Sequence, residues 1–270
     1  MSEEKSIRAA DLPRTRASLA NDLRKLGLAE GSLVFLHSSL SRLGWVCGSS
    51  VTVLQAIFDV LGPTGTLVTP AFSGENSDPA RWQNPPVPEH WWPIIRETMP
   101  VFDPQVTPTR GMGRIVETFR TWPGVRRSYH PVVSFCACGP EAEAITRDHP
   151  LNDGLGENSP LGRLYQRDAQ VLMLGTAYEC CTCFHLSEYR SGIATPTVHH
   201  AAIQTEQGRQ WVAYEDIDFD SDPFEEIGAA WDRMGKVRFG LVGSAPTRLF
   251  PLAPAVDFAT ERMRSSLRKK

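Results

Sequence analysis

The stretch from Ser32 to Ser73 constrains the fold more than any other part of the chain. "SLVFLHSS" is a short apolar run with polar residues at its carboxyl end, which predicts a buried strand. "SVTVLQAIFDVLG" carries apolar residues at helical spacing and closes on Gly62, and "GTLVTPAFS" reads as a second strand. Strand, helix and strand joined by short connections form a βαβ unit. Parallel neighbours need such a crossover, so the unit predicts a largely parallel β-sheet flanked by helices.

The rest of the chain extends this pattern. Leu12 to Leu26 has helical spacing and stops at Gly27. "GMGRIVETFRTWPG" predicts a helix, "VVSFCACG" a strand, and "PEAEAITRDH" a helix begun by proline. "SPLGRLYQRD" predicts another, with Ser159 as cap and Pro160 in the first position. "AQVLMLGT" is the clearest strand, and Thr195 to Ala253 reads as antiparallel strands with an acidic loop, then a short helix. Between Gly74 and Thr109 the periodicity dissolves, and eight prolines forbid long helices or central strands there. Trp82, Trp91 and Trp92 argue against disorder, so residues 74–109 are expected to form an ordered lid, the alternative being a packed excursion without function. No internal repeat divides the chain, which is read as one domain over residues 1–270.

Composition narrows the class of function. A net charge of -3 argues against nucleic acid as the main ligand, and the basic tail "RMRSSLRKK" reads as a solvated terminus. No apolar run is long enough to span a membrane, and "MSEEKSIRAADLPRTR" lacks a signal-peptide core. The six cysteines are therefore expected to be reduced, and the expectation is a cytoplasmic enzyme with no membrane or nucleic-acid partner.

In open parallel sheets ligands bind at the carboxyl ends of the strands. Those ends carry His37-Ser38-Ser39, Thr69 to Ser73, Ser134 to Cys138, and Thr176 to Glu188. The last includes "ECCTCFHLSEYRSG", which supports three readings. If Thr182 caps a helix, His185 and Glu188 share one face, and the carboxylate can orient the imidazole and support its cation, as a general base requires. Such a pair by spacing alone also fits a surface ion pair. A zinc site would use Cys180, Cys181, Cys183 and His185, but this crowding lacks the paired spacers of structural zinc sites, and His199-His200 fits a strand end equally well. A thiolate nucleophile lacks any marker favouring one cysteine. Small reduced cysteines packed under a helix are the simplest account of the sulfur. The acidic run "EDIDFDSDPFEE" imitates a calcium loop but has Ser221 and Ile227 where glycine and glutamate belong, so it reads as a solvated loop. No nucleophile elbow, Walker loop or complete dinucleotide fingerprint is present.

"LHSSLSRLGWVCG", "LGPTGTLVTPAFS", "FDPQVTPTRGMGRIVETFRTWPGVRRSYHPVVSFCACG", "ENSPLGRLY" and "VLMLGTAYECCTCFHLSEYR", in this order, closely resemble the aminoglycoside 3-N-acetyltransferases. The resemblance runs from about Leu12 to Phe250. It implies the family's own acetyltransferase fold, a layered α/β sandwich around a mixed, largely parallel sheet. It also implies transfer of acetyl from acetyl-coenzyme A to the 3-amino group of the deoxystreptamine ring of an aminoglycoside, hence antibiotic resistance. The family's Thr-x-x-His-x-x-Glu segment falls on Thr182, His185 and Glu188, making His185 the expected base and Glu188 its orienting partner. The chain departs from the family at Cys181, where a polar residue such as asparagine is common, and this bears on substrate preference more than on chemistry.

From the same resemblance, His37, Ser38, Ser39, Leu40, Thr69, Phe72, Ser73, Ser128, His130 and Ser134 are expected to line the coenzyme cleft. Arg42, Arg110, Arg126 and Arg127 are candidates for its phosphates. The developing oxyanion needs donors, for which backbone amides or the Ser38 region are candidates. The polycationic drug calls for carboxylates, with Asp78, Glu89, Asp103, Asp153 and the acidic run as candidates. No metal is expected. The competing readings are an acetyltransferase of this fold acting on another amine, and a small metal- or thiol-dependent binding protein.

Overall fold

The computed structural model describes residues 3–8 and 11–267. In chain order the first half contains α1 (Glu3–Arg8), α2 (Arg16–Leu26), β1 (Leu33–Ser38), α3 (Ser49–Leu61), β2 (Thr66–Pro70), α4 (Trp92–Thr98), α5 (Gly113–Arg120), β3 (Arg126–Arg127) and β4 (Phe135–Cys138). The second half contains α6 (Ala142–Thr146), α7 (Pro160–Gln166), β5 (Gln170–Leu174), α8 (His185–Ser191), β6 (Pro196–Thr205), β7 (Gly208–Ile217), α9 (Phe224–Asp232), β8 (Arg238–Val242), β9 (Ala245–Pro251) and α10 (Leu252–Leu267).

Seven strands form one mixed sheet in the order β3-β4-β2-β1-β5-β9-β8, and β6 pairs with β7 in a separate hairpin. The three central strands are parallel: β1 lies between β2 and β5, with Phe35 beside Val68 on one side and Val171 on the other. The flanks are antiparallel, β4 to β2 and β9 to β5. The expected parallel character is thus confined to the three central strands.

The central strands are apolar through their middles because both faces are covered there. On β1, Val34 and Leu36 face one cluster with Leu23 of α2, Ile57 of α3 and Phe119 of α5. Phe35 faces the other, with Leu164 of α7, Leu186 of α8, Trp231 of α9 and Val256 of α10. The same alternation repeats on β5, where Val171 and Met173 oppose Leu172 and Leu174.

Several local expectations shift. The first predicted helix starts at Arg16 rather than Leu12, because Thr15 accepts the Ser18 amide in a capping box. Ser159 caps α7 with Pro160 in its first turn, as the sequence predicts. The terminal helix is longer than expected, sixteen residues, and buries Leu252, Val256 and Met263. It includes the start of the basic tail, whose last three residues lie outside the described residues. Residues 74–109 hold three single 3₁₀ turns and α4. Arg96 Nη2 donates to Asp78 Oδ1 at 2.8 Å within this segment, and Arg209 of β7 ties the segment to the hairpin by donating to the carbonyls of Met99 and Arg96.

Candidate active site

Because β1, β2 and β5 are parallel, their carboxyl ends converge on one edge of the sheet. β5 ends at Leu174, and Gly175 turns the chain away with φ 75°. A Cβ there would meet the Cβ of Arg42 at 2.8 Å, so the turn demands glycine. Two 3₁₀ turns follow, Tyr178–Cys180 and Thr182–Phe184, before α8 opens on His185. Thr182 is therefore not the side-chain cap that the spacing predicts: Phe184 holds that position, without a side-chain bond.

His185 and Glu188 do meet. Nδ1 of His185 lies 2.5 Å from Oε2 of Glu188, whose Oε1 accepts the Asp220 amide at 2.8 Å. Glu188 is buried, and the rings of Phe219 and Phe224 lie against the imidazole with centroids 5.1 and 4.8 Å away. A carboxylate engaged at both oxygens can hold the imidazole in one tautomer and orientation. The bond to Nδ1 leaves Nε2 to handle a proton.

The imidazole lines a cavity of about 260 Å³, together with His37, Phe72, Thr176, Glu179 and Thr182. A second cavity of about 660 Å³ adjoins it, lined by Ser39, Leu40, Trp45 and Arg114 among others. Ser38, Gly111, Met112, Thr176 and Cys180 line both, so the two form one groove over the ends of β1 and β5 and the start of α5. Several buried polar atoms here have no partner among the described residues: His37 Nδ1, Ser38 Oγ, Thr69 Oγ1 and Thr176 Oγ1. Buried polar groups are rarely left unpaired, and their concentration at one sheet edge marks a ligand site.

Of the predicted coenzyme contacts, His37, Ser38, Ser39, Leu40 and Phe72 line this groove. The others do not. Thr69 is fully buried beside it. Ser73 donates to the Pro108 carbonyl and accepts from Arg127, and Ser134 donates to the Ala71 carbonyl. Ser128 bonds His149 and the Phe135 amide. His130 accepts the amides of Val132 and Val133, and burial pushes its pKa down to about 4. Arg110 pairs with Glu75, Arg126 with Glu143, and Arg127 points inward; Arg42 does not line the groove. Arg114, which sequence reasoning missed, is the one cation lining it among the described residues, and its place at the start of α5 was the available signal.

The four candidate substrate carboxylates also sit elsewhere. Asp78 is buried against Arg96 and His200; Asp103 and Asp153 are engaged with neighbouring amides; Glu89 opens a 3₁₀ turn outside the groove. Their dispersion follows from chain order, which does not reveal which loops meet. Glu179, adjacent to the cysteine cluster, is the acidic side chain that lines the groove, with Ser221 of the acidic run opposite.

The cysteines fit structural roles. Cys181 and Cys183 are buried with their sulfurs 3.4 Å apart, and burial together with the neighbouring thiol pushes Cys181 well above the usual range. Cys180 reaches the groove, but partial burial and Glu179 raise its pKa too, which disfavours a thiolate. Among the described residues no group of three or more histidine, cysteine or acidic side chains is arranged to hold a metal ion.

The family model for aminoglycoside 3-N-acetyltransferases matches residues 35–264. The chain belongs to that family. It is an acyltransferase of the aminoglycoside 3-N-acetyltransferase type. The SPbeta prophage-derived aminoglycoside N(3')-acetyltransferase-like protein YokD of Bacillus subtilis (strain 168) is 49% identical over 95% of this chain and 94% of its own. The crystal structure of YokD superposes with a TM-score of 0.97, covering 99% of each chain. Two other acetyltransferase structures share the fold. AAC-IIIb, seen as a binary complex with CoASH, has a TM-score of 0.82 at 32% identity, covering 94% of this chain and 98% of its own. AAC-VIa, seen bound to sisomicin, has a TM-score of 0.83 at 27% identity, covering 94% and 99%.

Proposed function

We propose that this protein is a cytoplasmic enzyme, built as one α/β unit, that acetylates the 3-amino group of the deoxystreptamine ring of aminoglycosides from acetyl-coenzyme A. His185 acts as general base, and the consequence for the cell is antibiotic resistance. The observation that carries the base assignment is the His185–Glu188 contact of 2.5 Å on an imidazole that lines the groove. No helix among the described residues is long and apolar enough to cross a membrane.

The groove suits the coenzyme. Its larger cavity is lined by Ser39, Leu40 and Arg114, which offer hydrogen bonds, apolar contact and a cation for phosphate. The buried hydroxyls of Ser38 and Thr176 lack partners among the described residues and supply polar contacts near His185. The coenzyme supplies an activated acetyl thioester, so no acyl-enzyme is needed. The chain's own part is to bind, orient and move a proton. Glu188 fixes His185 through Nδ1, so that Nε2 takes the proton the amine must lose. Phe219 and Phe224 shield one side of the imidazole from water. Glu179 offers a carboxylate to a cationic amine.

One observation favours a second reading. Glu179 is the only acidic side chain lining the groove among the described residues, which is sparse for a polycation, so an acetyltransferase of this fold acting on another amine is the alternative. Release of free coenzyme A across a panel of aminoglycosides and simple amines decides between them. Turnover with aminoglycosides is the expected result, and turnover only with other amines would establish the alternative. His185→Ala is expected to lower turnover by about a hundredfold or more in a folded protein. Near-normal turnover would refute the base assignment.

A further inference from the structure

His37 ends β1 at the groove, yet its ring is not presented to a ligand as a free acid or base. It is 4% exposed and packs edge-on against Phe35, with ring centroids 4.6 Å apart. Its Nε2 accepts the backbone amide of Thr182 at 3.1 Å, across 145 residues of sequence. A backbone amide can only donate, so Nε2 carries no proton and the neutral ring carries its hydrogen on Nδ1. Turning the ring over would place carbon against the Thr182 amide, so the bond also fixes the ring's orientation.

Thr182 opens the 3₁₀ turn that runs directly into His185, and its own amide has no partner within that turn. Helix starts leave such donors unsatisfied, and Phe184 provides no side-chain cap at the start of α8. His37 supplies the missing acceptor from the central strand. It thereby ties the most rigid part of the sheet to the turn that delivers the base.

We propose that His37 is a positioning residue for the acetyl transfer: a permanently neutral imidazole whose Nε2 anchors the Thr182 amide and so sets where His185 stands in the groove. The role is carried by Nε2 and is not that of a proton carrier. It is separate from any contact that Nδ1–H, which has no partner among the described residues, makes with a ligand in the groove. Burial first, and the neighbouring His185 second, hold the His37 pKa down to about 3, so the ring stays an acceptor throughout the pH range in which the enzyme would work. The inference rests on His185 being the base.

The test uses two variants and one measurement on the unaltered protein. His37→Leu removes the acceptor, and His37→Gln can place an amide oxygen near the position of Nε2. His37→Leu should lower kcat by about tenfold to a hundredfold, the usual effect of misplacing a catalytic group by an ångström or less, with KM for acetyl-coenzyme A changed less than about twofold. His37→Gln should recover most of the loss. An unchanged kcat in folded His37→Leu, a loss confined to KM for acetyl-coenzyme A, or a Gln variant as poor as Leu would overturn the proposal. Nitrogen-15 NMR of the native protein is independent of variant folding: His37 should show the Nδ1–H tautomer and no titration between about pH 5 and 8. An Nε2–H tautomer or a titrating ring would equally refute it. The two readings can fail separately: turnover of His185→Ala tests the base, while the His37 tautomer, which should survive that substitution, tests the anchor.

Discussion

At the scale of single residues, both oxygens of Glu188 are engaged, one by His185 and one by the Asp220 amide, and the proposed orienting role rests on that. Glu188→Gln can keep a hydrogen bond to either partner but loses the charge that supports an imidazolium. Its turnover should therefore fall by less than that of His185→Ala, about tenfold to a hundredfold, in steady-state assays of coenzyme A release. A loss as large as that of His185→Ala would mean the carboxylate does more than orient and support. The sulfur atoms make the opposite case. Cys181→Ser and Cys183→Ser should each retain substantial turnover, and initial rates should fit a sequential rather than ping-pong pattern, since the proposed direct attack forms no acyl-cysteine. A trapped acetyl-cysteine would contradict this. The His185–Glu188 pair was legible because three residues along a helix is a local relation. The Thr182 contact with His37 was not, since the spacing suggested a cap and the actual bond joins the end of β1 to a turn 145 residues further along the chain.

Among the elements, the segment over residues 74–109 was legible as ordered and proline-broken, but its attachments were not. Arg127 shows why. In sequence it is one of two adjacent arginines with an evident claim on phosphate. In the fold its guanidinium donates to the carbonyls of Thr107 and Ala71 and to the hydroxyls of Ser73 and Ser134, beneath the ring of Phe102. Burial lowers its pKa to about 10, so it still carries its charge at neutral pH. It clamps the returning end of the segment onto the end of β2, whose Pro70 and Phe72 border the groove. Arg127→Met should therefore destabilise the protein by about 3 kcal/mol or more in urea titrations, because several buried acceptors lose their donor. A change below about 1 kcal/mol would show the clamp to be dispensable. None of residues 74–109 lines the groove, while Phe72 and Gly111 at its borders do. A role as cover therefore predicts movement: saturation with an active aminoglycoside should slow hydrogen exchange across this segment, and unchanged exchange would remove that role.

For the whole molecule, the βαβ pattern near the amino terminus correctly foretold the parallel centre, because that pattern is a statement about chain direction. The antiparallel flanks depend on which edge each later strand joins, a tertiary choice that apolar periodicity does not encode. The same long-range assembly buries three histidines on different segments: His37 on β1, His130 before β4, and His149 after α6, the last two with ring centroids 4.7 Å apart. Burial is the main cause that depresses all three, His37 to about 3, His130 to about 4 and His149 well below its ordinary value. In the unfolded chain each titrates near 6.5. Below that pH the unfolded state binds protons that the native state refuses. The stability these groups contribute is therefore fully present above about pH 6.5 and is lost as pH falls toward each folded value, about 4 for His130 and about 3 for His37, at up to about 1.4 kcal/mol per pH unit for each histidine. Urea titrations between pH 7 and pH 5 should show this decline before most carboxylates protonate. His130 accepts the Val132 and Val133 amides through Nδ1, a position that the side-chain oxygen of asparagine can occupy. In His130→Asn the acceptor is kept and one titration is removed, so the slope of stability against pH over this window should become shallower by up to about 1.4 kcal/mol per pH unit. A slope identical to that of the unaltered protein would show that His130 takes up its proton in the folded state, against the burial that surrounds it.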